Sequence, residues 1–400
     1  MGESPLDLSH VEILDNHCHG LAIEQMLASD PSSLEARLTI TGQAYLTSDG
    51  HDAATWAAIE ALVPDNVYSM VVRRWLGAYL GCPGEAQALV AARDGQLRAD
   101  PSGYTRRLIA DAGITGLVAD EGYTHMPVGS GELQPIVGVP VYRVARIESF
   151  IDLLQRRADL RDLDSFAGAL EDELEAAASD PNTIALKSII AYRTGIDITE
   201  PSWADASAAF LEWRRAGWAE SRTCSKLVRD HLLHRAMRVV ERHDIALHIH
   251  CGDGDADVVF QHSRPQDLYE FASRHRRQPI VLMHAGHPWS EEAAYMASIL
   301  PHVYIDLSVL IPWASMTIPD HLTRLLGMMP SRKLLYSSDQ VYEPELFWIP
   351  ARFARAALTQ SLMQAVERDY LTVGQAHDVG RGVLGLNSAR LHGLAWPAGS

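Results

Sequence analysis

Lysine is almost missing from these 400 residues: there are three, Lys187, Lys226 and Lys333, against 31 arginines. With a formal net charge of -17 there is no basic run anywhere along the chain, which argues against a nucleic-acid backbone or an anionic membrane surface as the partner. Cysteine is scarce too. Cys18, Cys82, Cys224 and Cys251 lie far apart and form no Cys-X-X-Cys, so neither a disulfide scaffold nor a zinc ribbon is expected. No apolar stretch approaches the roughly 18 residues needed to span a bilayer. The opening MGESPLDLSH has neither a basic n-region nor an apolar h-region. Low-complexity segments and short-period repeats are also missing. The expectation is a cytoplasmic protein that takes a small-molecule substrate.

What is present is enough apolar material, 47% of residues, to bury a large core. From Ile114 onward, short apolar runs alternate with helical ones. ITGLVAD (114–120), VYRVARIE (141–148), IALKSII (184–190), IALHIH (245–250), PIVLMH (279–284), HVYIDLS (302–308) and KLLYSSD (333–339) read as strands. Helical runs separate them, including 150–178 and 203–244. With the earlier VEILDNH they make eight, the signature of an α/β fold closed as a (β/α)8 TIM barrel. Residues 21–110 hold no β-branched run and several amphipathic stretches, and read as a helical insertion after the first strand, placed to shape a pocket lid. Residues 343–395 supply the last barrel helix and C-terminal helices. The whole of 1–400 is expected to form one domain.

In such barrels the chemistry sits where strands end. The first strand runs into Asp15-Asn16-His17-Cys18-His19, and alternation puts His17 and His19 on one face, able to grip one metal ion together. Strand four carries Lys187, strand five His248 and His250, strand six His284, and strand eight Asp339. Each has an ordinary reading: a lone strand-end histidine is often a hydrogen-bonded structural residue, and Asp339 could cap the following helix. So many together, in barrel order, favour a metal site. Lys187 lies inside an apolar run, where an unpaired ammonium is costly. It could be neutralised by a carboxylate, run out to the barrel mouth, or orient substrate. The favoured reading is carbamylation by carbon dioxide, giving a carboxylate that bridges two metals. Arg146 and Arg193 are candidates to bind a substrate carboxylate through the guanidinium fork, with Arg146 alternatively paired to Glu148 or a neighbouring strand's acid. His287, past the end of strand six, could reach substrate. Trp289 and Tyr342 could line the pocket or pack the helices, and packing is expected for Trp348.

The set His-X-His, lysine, His, His, Asp resembles the metal-dependent amidohydrolase superfamily. More closely, KSIIAYRTG (187–195), HCGDGD (250–255), the stretch 279–308 and LLYSSDQVYEPELFWIPAR (334–352) are similar to the amidohydrolase domain fused to a glutamine-synthetase-like domain in FluG-type and nodulin-type proteins. The resemblance implies His17, His19 and Asp339 on the more buried metal. It implies a carbamylated Lys187 bridging to a second metal held by His250 and His284, while His248 lies one layer deeper. Zinc is the default for such donors, with manganese, iron or nickel compatible; an unmodified Lys187 would leave a single metal. A homodimer is also implied.

The expected activity is hydrolysis of a C–N bond in a small carboxylate-bearing amide, such as a γ-glutamyl amide. Metal-activated water attacks, and Asp339 is the proton shuttle. Two alternatives stay open. A decarboxylase of the same superfamily would use a single zinc and a free catalytic His284. A non-catalytic binding barrel would have kept the fold and lost the chemistry.

Overall fold

The computed structural model describes residues 6–28, 34–39, 42, 52–123 and 128–396. Eight strands follow one another around the sheet in chain order, every neighbouring pair parallel. They are β1 (Ile13–Cys18), β2 (Ile114–Asp120), β3 (Val141–Arg146), β4 (Thr183–Ser188), β5 (Ala246–Ile249), β6 (Ile280–Leu282), β7 (Val303–Asp306) and β8 (Leu334–Leu335). Between β1 and β2 stand α1 (Ile23–Ala28), α2 (Leu34–Arg37), α3 (Ala53–Leu62), α4 (Val67–Leu80), α5 (Ala86–Ala99) and α6 (Pro101–Asp111). Next come α7 (Ser130–Val137), α8 (Ile147–Leu154), α9 (Leu163–Ala178), α10 (Trp203–Arg215), α11 (Lys226–His243) and α12 (Tyr269–Arg274). The chain continues through α13 (Ser290–Ile299), α14 (Leu310–Ala314), α15 (Ile318–Met328), α16 (Glu345–Glu367), α17 (Val373–Arg381) and α18 (Asn387–Leu391).

This is the expected TIM barrel, nearly closed, with helices outside. Strands β1, β4, β5 and β6 are buried along their whole length, because one face meets the barrel interior and the other the helices. The N-terminal end is plugged by Leu14, Val118, Val144, Ile184 and Ala246, packed against Ala389, Leu394 and Trp396 of the C-terminal segment. The helical insertion is present, though its residues 29–33, 40–41 and 43–51 lie outside the described set.

Two expectations change. The helical stretch 150–178 is two helices, because Asp162 and Ser165 form a reciprocal capping box that starts α9 afresh. The eighth strand, expected to run to Asp339, has only two residues. From Tyr336 its N–H groups turn to other acceptors: Val383 O for Tyr336 (2.9 Å), Asp15 Oδ1 for Ser338 (2.9 Å) and His17 O for Asp339 (3.0 Å). With Asn16 N donating to Tyr336 O at 3.0 Å and His19 N to Gln340 O at 2.9 Å, these bonds stitch β1 to the stretch beyond β8. The barrel's seam therefore runs through its candidate site.

Candidate metal centre

On the other edge of β1, its register against β2 slips between Asp15 and Cys18. A bulge of this kind re-aims side chains next to functional sites. Asn16 meets Asp306 (Nδ2 to Oδ2, 3.3 Å), Ser388 and His392, while His17 meets Asp339 and Lys187. His17 Nε2 stands 3.1 Å and His19 Nε2 3.6 Å from Asp339 Oδ1. One donor atom from each of the three residues lies within 4.8 Å of the others. Burial pushes the Asp339 carboxyl up, but His284, His17 and His19 outweigh it and hold Asp339 well below the usual carboxylate range. Burial and then Lys187 push His17 down, against Asp339. The direction for this pair is an ionised Asp339 facing a neutral His17.

Lys187, 2% exposed, crosses from β4 to β1, its Nζ 3.3 Å from His17 Nε2. Burial lowers its pKa, while Asp120 opposes and Arg146 adds to the lowering. Asp120 closes β2, and Arg146 closes on it: Nε donates to Oδ1 and Oδ2 at 3.2 and 3.1 Å, and Nη2 to Oδ2 at 2.6 Å. Arg146 thus takes the alternative expected for it, the pairing with a neighbouring strand's acid, through its Nε and Nη2 edge.

On the β5–β6 side, His250 Nδ1 and His284 Nε2 face each other at 2.8 Å. Burial first, then the charge of Lys187 on His250 and of His250 on His284, keep both far below the ordinary histidine value, hence neutral. His284 sits just past β6 in a turn where it and Ala285 have φ of 60° and 52°. Its Nδ1 is 2.6 Å from Ser308 Oγ, and Ser308 Oγ donates in turn to Asp306. This relay favours the proton on His284 Nδ1 and leaves Nε2 as a lone pair. His287 lies in the following loop, as expected, with Nδ1 2.6 Å from Asp253 Oδ2. Gly252 is required beneath it: φ is 85°, and a Cβ there would stand 2.3 Å from His287 O.

Among the described residues, then, His17, His19, Asp339 and Lys187 converge, and His250 and His284 pair beside them; the His17 and His284 rings are 6.1 Å apart. Arg193 is half-buried just beyond β4, and among the described residues its guanidinium has no hydrogen-bond or ion-pair partner. His248 pairs in register with Lys187, and both its ring nitrogens are buried without partners. Trp348 packs as expected, fully buried with Nε1 donating to Asp111 Oδ2 at 2.5 Å. Cys18 and Cys251 donate to backbone carbonyls of Val118 and Met283, away from the histidines. Sequence reasoning missed Asp120, Asp253, Asp306 and Ser308. The signal was available for two of them, since Asp120 and Asp306 close β2 and β7 just as the chosen residues close theirs.

The donor set fits a divalent cation. Two imidazole nitrogens and a carboxylate oxygen point at one another, and Asp339 Oδ1 and His250 Nε2 are buried without an aligned hydrogen bond. A (β/α)8 barrel with such donors on its C-terminal rim is the architecture of a metal-dependent enzyme. The chain belongs to the amidohydrolase family, whose family model matches residues 171–394. The match takes in Lys187, His250, His284 and Asp339, while His17 and His19 precede it. Protein fluG of Emericella nidulans is 29% identical over 241 residues, 58% of this chain but only 28% of that protein. Among solved structures, a protein of Lactobacillus casei assigned as a metal-dependent hydrolase superposes with a TM-score of 0.81 at 20% identity, covering 96% of both chains. The uronate isomerase of Thermotoga maritima superposes at 0.67 with 15% identity, covering 96% of this chain and 95% of its own. Glucuronate isomerase of Caulobacter crescentus does so at 0.67 with 14% identity, covering 98% and 93%. At these identities the likeness is one of fold. Among the described residues no helix is long and apolar enough to cross a membrane.

Proposed function

We propose that this chain hydrolyses the C–N bond of a small amide that carries a carboxylate, using divalent metal. The observation that supports this most is the convergence of His17, His19 and Asp339 within 4.8 Å beside the buried Lys187. His17, His19 and Asp339 would hold one ion, zinc by donor type, with manganese, iron or nickel compatible. His250 and His284 would hold a second. Lys187 would bridge the two as a carbamate: its neutral amine adds to carbon dioxide, forming an N–C bond and releasing one proton. The lowered pKa of Lys187 favours the neutral amine that this addition needs.

A divalent ion bound here supplies Lewis acidity, lowering the pKa of water to about 7 and polarising the scissile carbonyl. The chain's own residues do the rest. The Asp339 carboxylate accepts the proton lost as water adds to the carbonyl carbon, and returns it to the leaving amine nitrogen as the C–N bond breaks. His284, kept in one tautomer by Ser308 and Asp306, stays neutral and cannot shuttle that proton through Nδ1. Arg193, whose guanidinium meets no partner among the described residues, is the group for the substrate carboxylate. His287 keeps Nε2 for substrate while Asp253 holds Nδ1. The γ-glutamyl amide as substrate rests on the resemblance to FluG-type proteins.

The deciding assay offers metal-loaded protein a panel of γ-glutamyl and N-acyl amides, read as free amine, beside aromatic carboxylic acids read as carbon dioxide. Amine release supports the proposal. Carbon dioxide without amine would assign the decarboxylase chemistry instead, and metal-loaded protein silent on both panels would leave the substrate class open.

A further inference from the structure

A few residues beyond Asp339, Glu343 and Glu345 are buried with no exposed surface. A buried carboxylate persists only where cations and donors meet it, and here they come from far away in the chain. Arg93 of α5, 1% exposed, donates through Nε to Glu345 Oε1 at 2.8 Å and through Nη2 to Glu343 Oε2. Arg37, closing α2, donates through Nε to Glu343 Oε1 at 2.7 Å, and Tyr104 of α6 donates to Glu345 Oε1 at 2.8 Å. Two guanidinium groups thus face two carboxylates, and all three donors belong to the helices inserted after β1.

The segment they grip is the one that carries Asp339. Its inner end is bonded to β1 through Ser338, Asp339 and Gln340, and its outer end becomes the first turn of α16 at Glu345. Between these anchors Asp339 and Tyr342 have φ of 54° and 61°. A residue with a Cβ keeps that left-handed conformation only when its surroundings over-determine it. The bonds to β1 act before Tyr342, so the turn back into α16 depends on what holds Glu343 and Glu345.

We infer that Arg93 is a positioning residue for Asp339: closed on Glu343 and Glu345, it holds the segment 339–345 in the conformation that turns the Asp339 carboxylate toward His17 and His19. The inference rests on the metal-centre reading, and it makes the inserted helices a buttress of that centre. An arginine suits this place because its planar guanidinium presents donors in a fixed geometry, Nε to one carboxylate and Nη2 to the other, which a point-charge ammonium does not fix.

The test compares four variants with the wild type in zinc affinity, by competition with a chromophoric chelator, and in amide hydrogen exchange over residues 336–345 of the metal-free protein. Arg93→Met removes the clamp but strands a buried carboxylate and could fail to fold. Arg93→Met/Glu345→Gln therefore accompanies it, leaving Arg37 paired with Glu343 and an amide oxygen for Tyr104. Arg93→Lys keeps the charge without the fork. Arg229→Met is the comparator for a purely structural loss, since Arg229 is as buried as Arg93 but pairs with Glu220. The expected result is zinc binding about 10- to 100-fold weaker in both Arg93→Met proteins, the range for removing a group that orients a ligand. Exchange over 336–345 should be faster, Arg93→Lys should fall between, and Arg229→Met should match wild type in both. A folded double variant with wild-type zinc affinity overturns the inference. If wild-type protein itself bound no zinc, the metal reading would fall. The exchange comparison would then decide alone: faster exchange in the double variant upholds the positioning role, and unchanged exchange overturns it.

Discussion

The two sides of the barrel rim hold histidines in different ways. On the β1–β8 side, His17 and His19 share a carboxylate, Asp339, and the backbone bonds that place all three are the bonds that close the barrel. On the β5–β6 side, His250 Nδ1 and His284 Nε2 face each other, and among the described residues neither ring is bonded directly to a carboxylate: Asp306 meets His284 Nδ1 through Ser308, and Asp253 holds His287. The first side offers a cation negative charge as it stands. The second offers two neutral nitrogens, and needs an anion from elsewhere to hold a second ion well. Lys187, bonded to His17 and acting on His250, would provide it as a carbamate.

That contrast can be broken most directly by removing one side at a time. His17→Ala/His19→Ala should abolish tight metal binding, whereas His250→Ala should leave close to one equivalent in place; metal analysis of the purified proteins reads the difference. Equal loss from both would mean that the two sides form one site. Asp339→Asn asks what the carboxylate adds beyond holding the ion. The amide oxygen can still coordinate, so metal content should be largely kept while turnover falls by about 10²- to 10⁴-fold, as for loss of a positioned acid–base group.

Lys187→Ala sharpens the comparison from the middle. It should cost one metal of two, and short carboxylic acids in the buffer should restore part of the activity by taking the bridging place. A Lys187→Ala protein with full metal content would end the carbamate proposal.

A smaller effect concerns the floor beneath the β1–β8 side. Burial raises the Asp15 carboxyl to about 7, although it accepts from Ser338 N. The folded protein thus binds a proton that the unfolded chain releases above about pH 4. That contribution to stability is complete below pH 4 and is lost as pH rises through 7. Its upper bound is on the order of 4 kcal/mol. In metal-free protein, Asp15→Asn keeps an acceptor for Ser338, so it should flatten stability between pH 4 and 7 and raise the melting temperature at pH 8. An unchanged pH profile would mean that Asp15 is ionised in the fold.

The smallest change expected is in substrate handling. Arg193→Ala should raise KM several-fold with kcat little altered, the mark of uniform binding. A fall in kcat alone would place Arg193 at the reacting bond instead.

Much of this was legible in one dimension because strand alternation is local. A period of two sets His17 and His19 on one face, and apolar runs that close in His, Lys or Asp mark the C-terminal rim whichever strands end up adjacent. Seven of the eight expected strands appear within a few residues of their reading, and the eighth shrank because the N–H groups of Tyr336, Ser338 and Asp339 found partners on Val383 and β1. Partnership is another matter. That Arg146 belongs to Asp120, that Asp306 reaches His284 through Ser308, and that Arg93 serves Glu343 and Glu345 depend on which rim positions closure brings within about 3 Å, the reach of a hydrogen bond. Residue type and spacing along the chain determined which groups could do chemistry. Only barrel closure, with the bulge in β1 and the docking of the inserted helices, decided which of them meet, because side chains far apart in sequence become neighbours through strand order and packing alone.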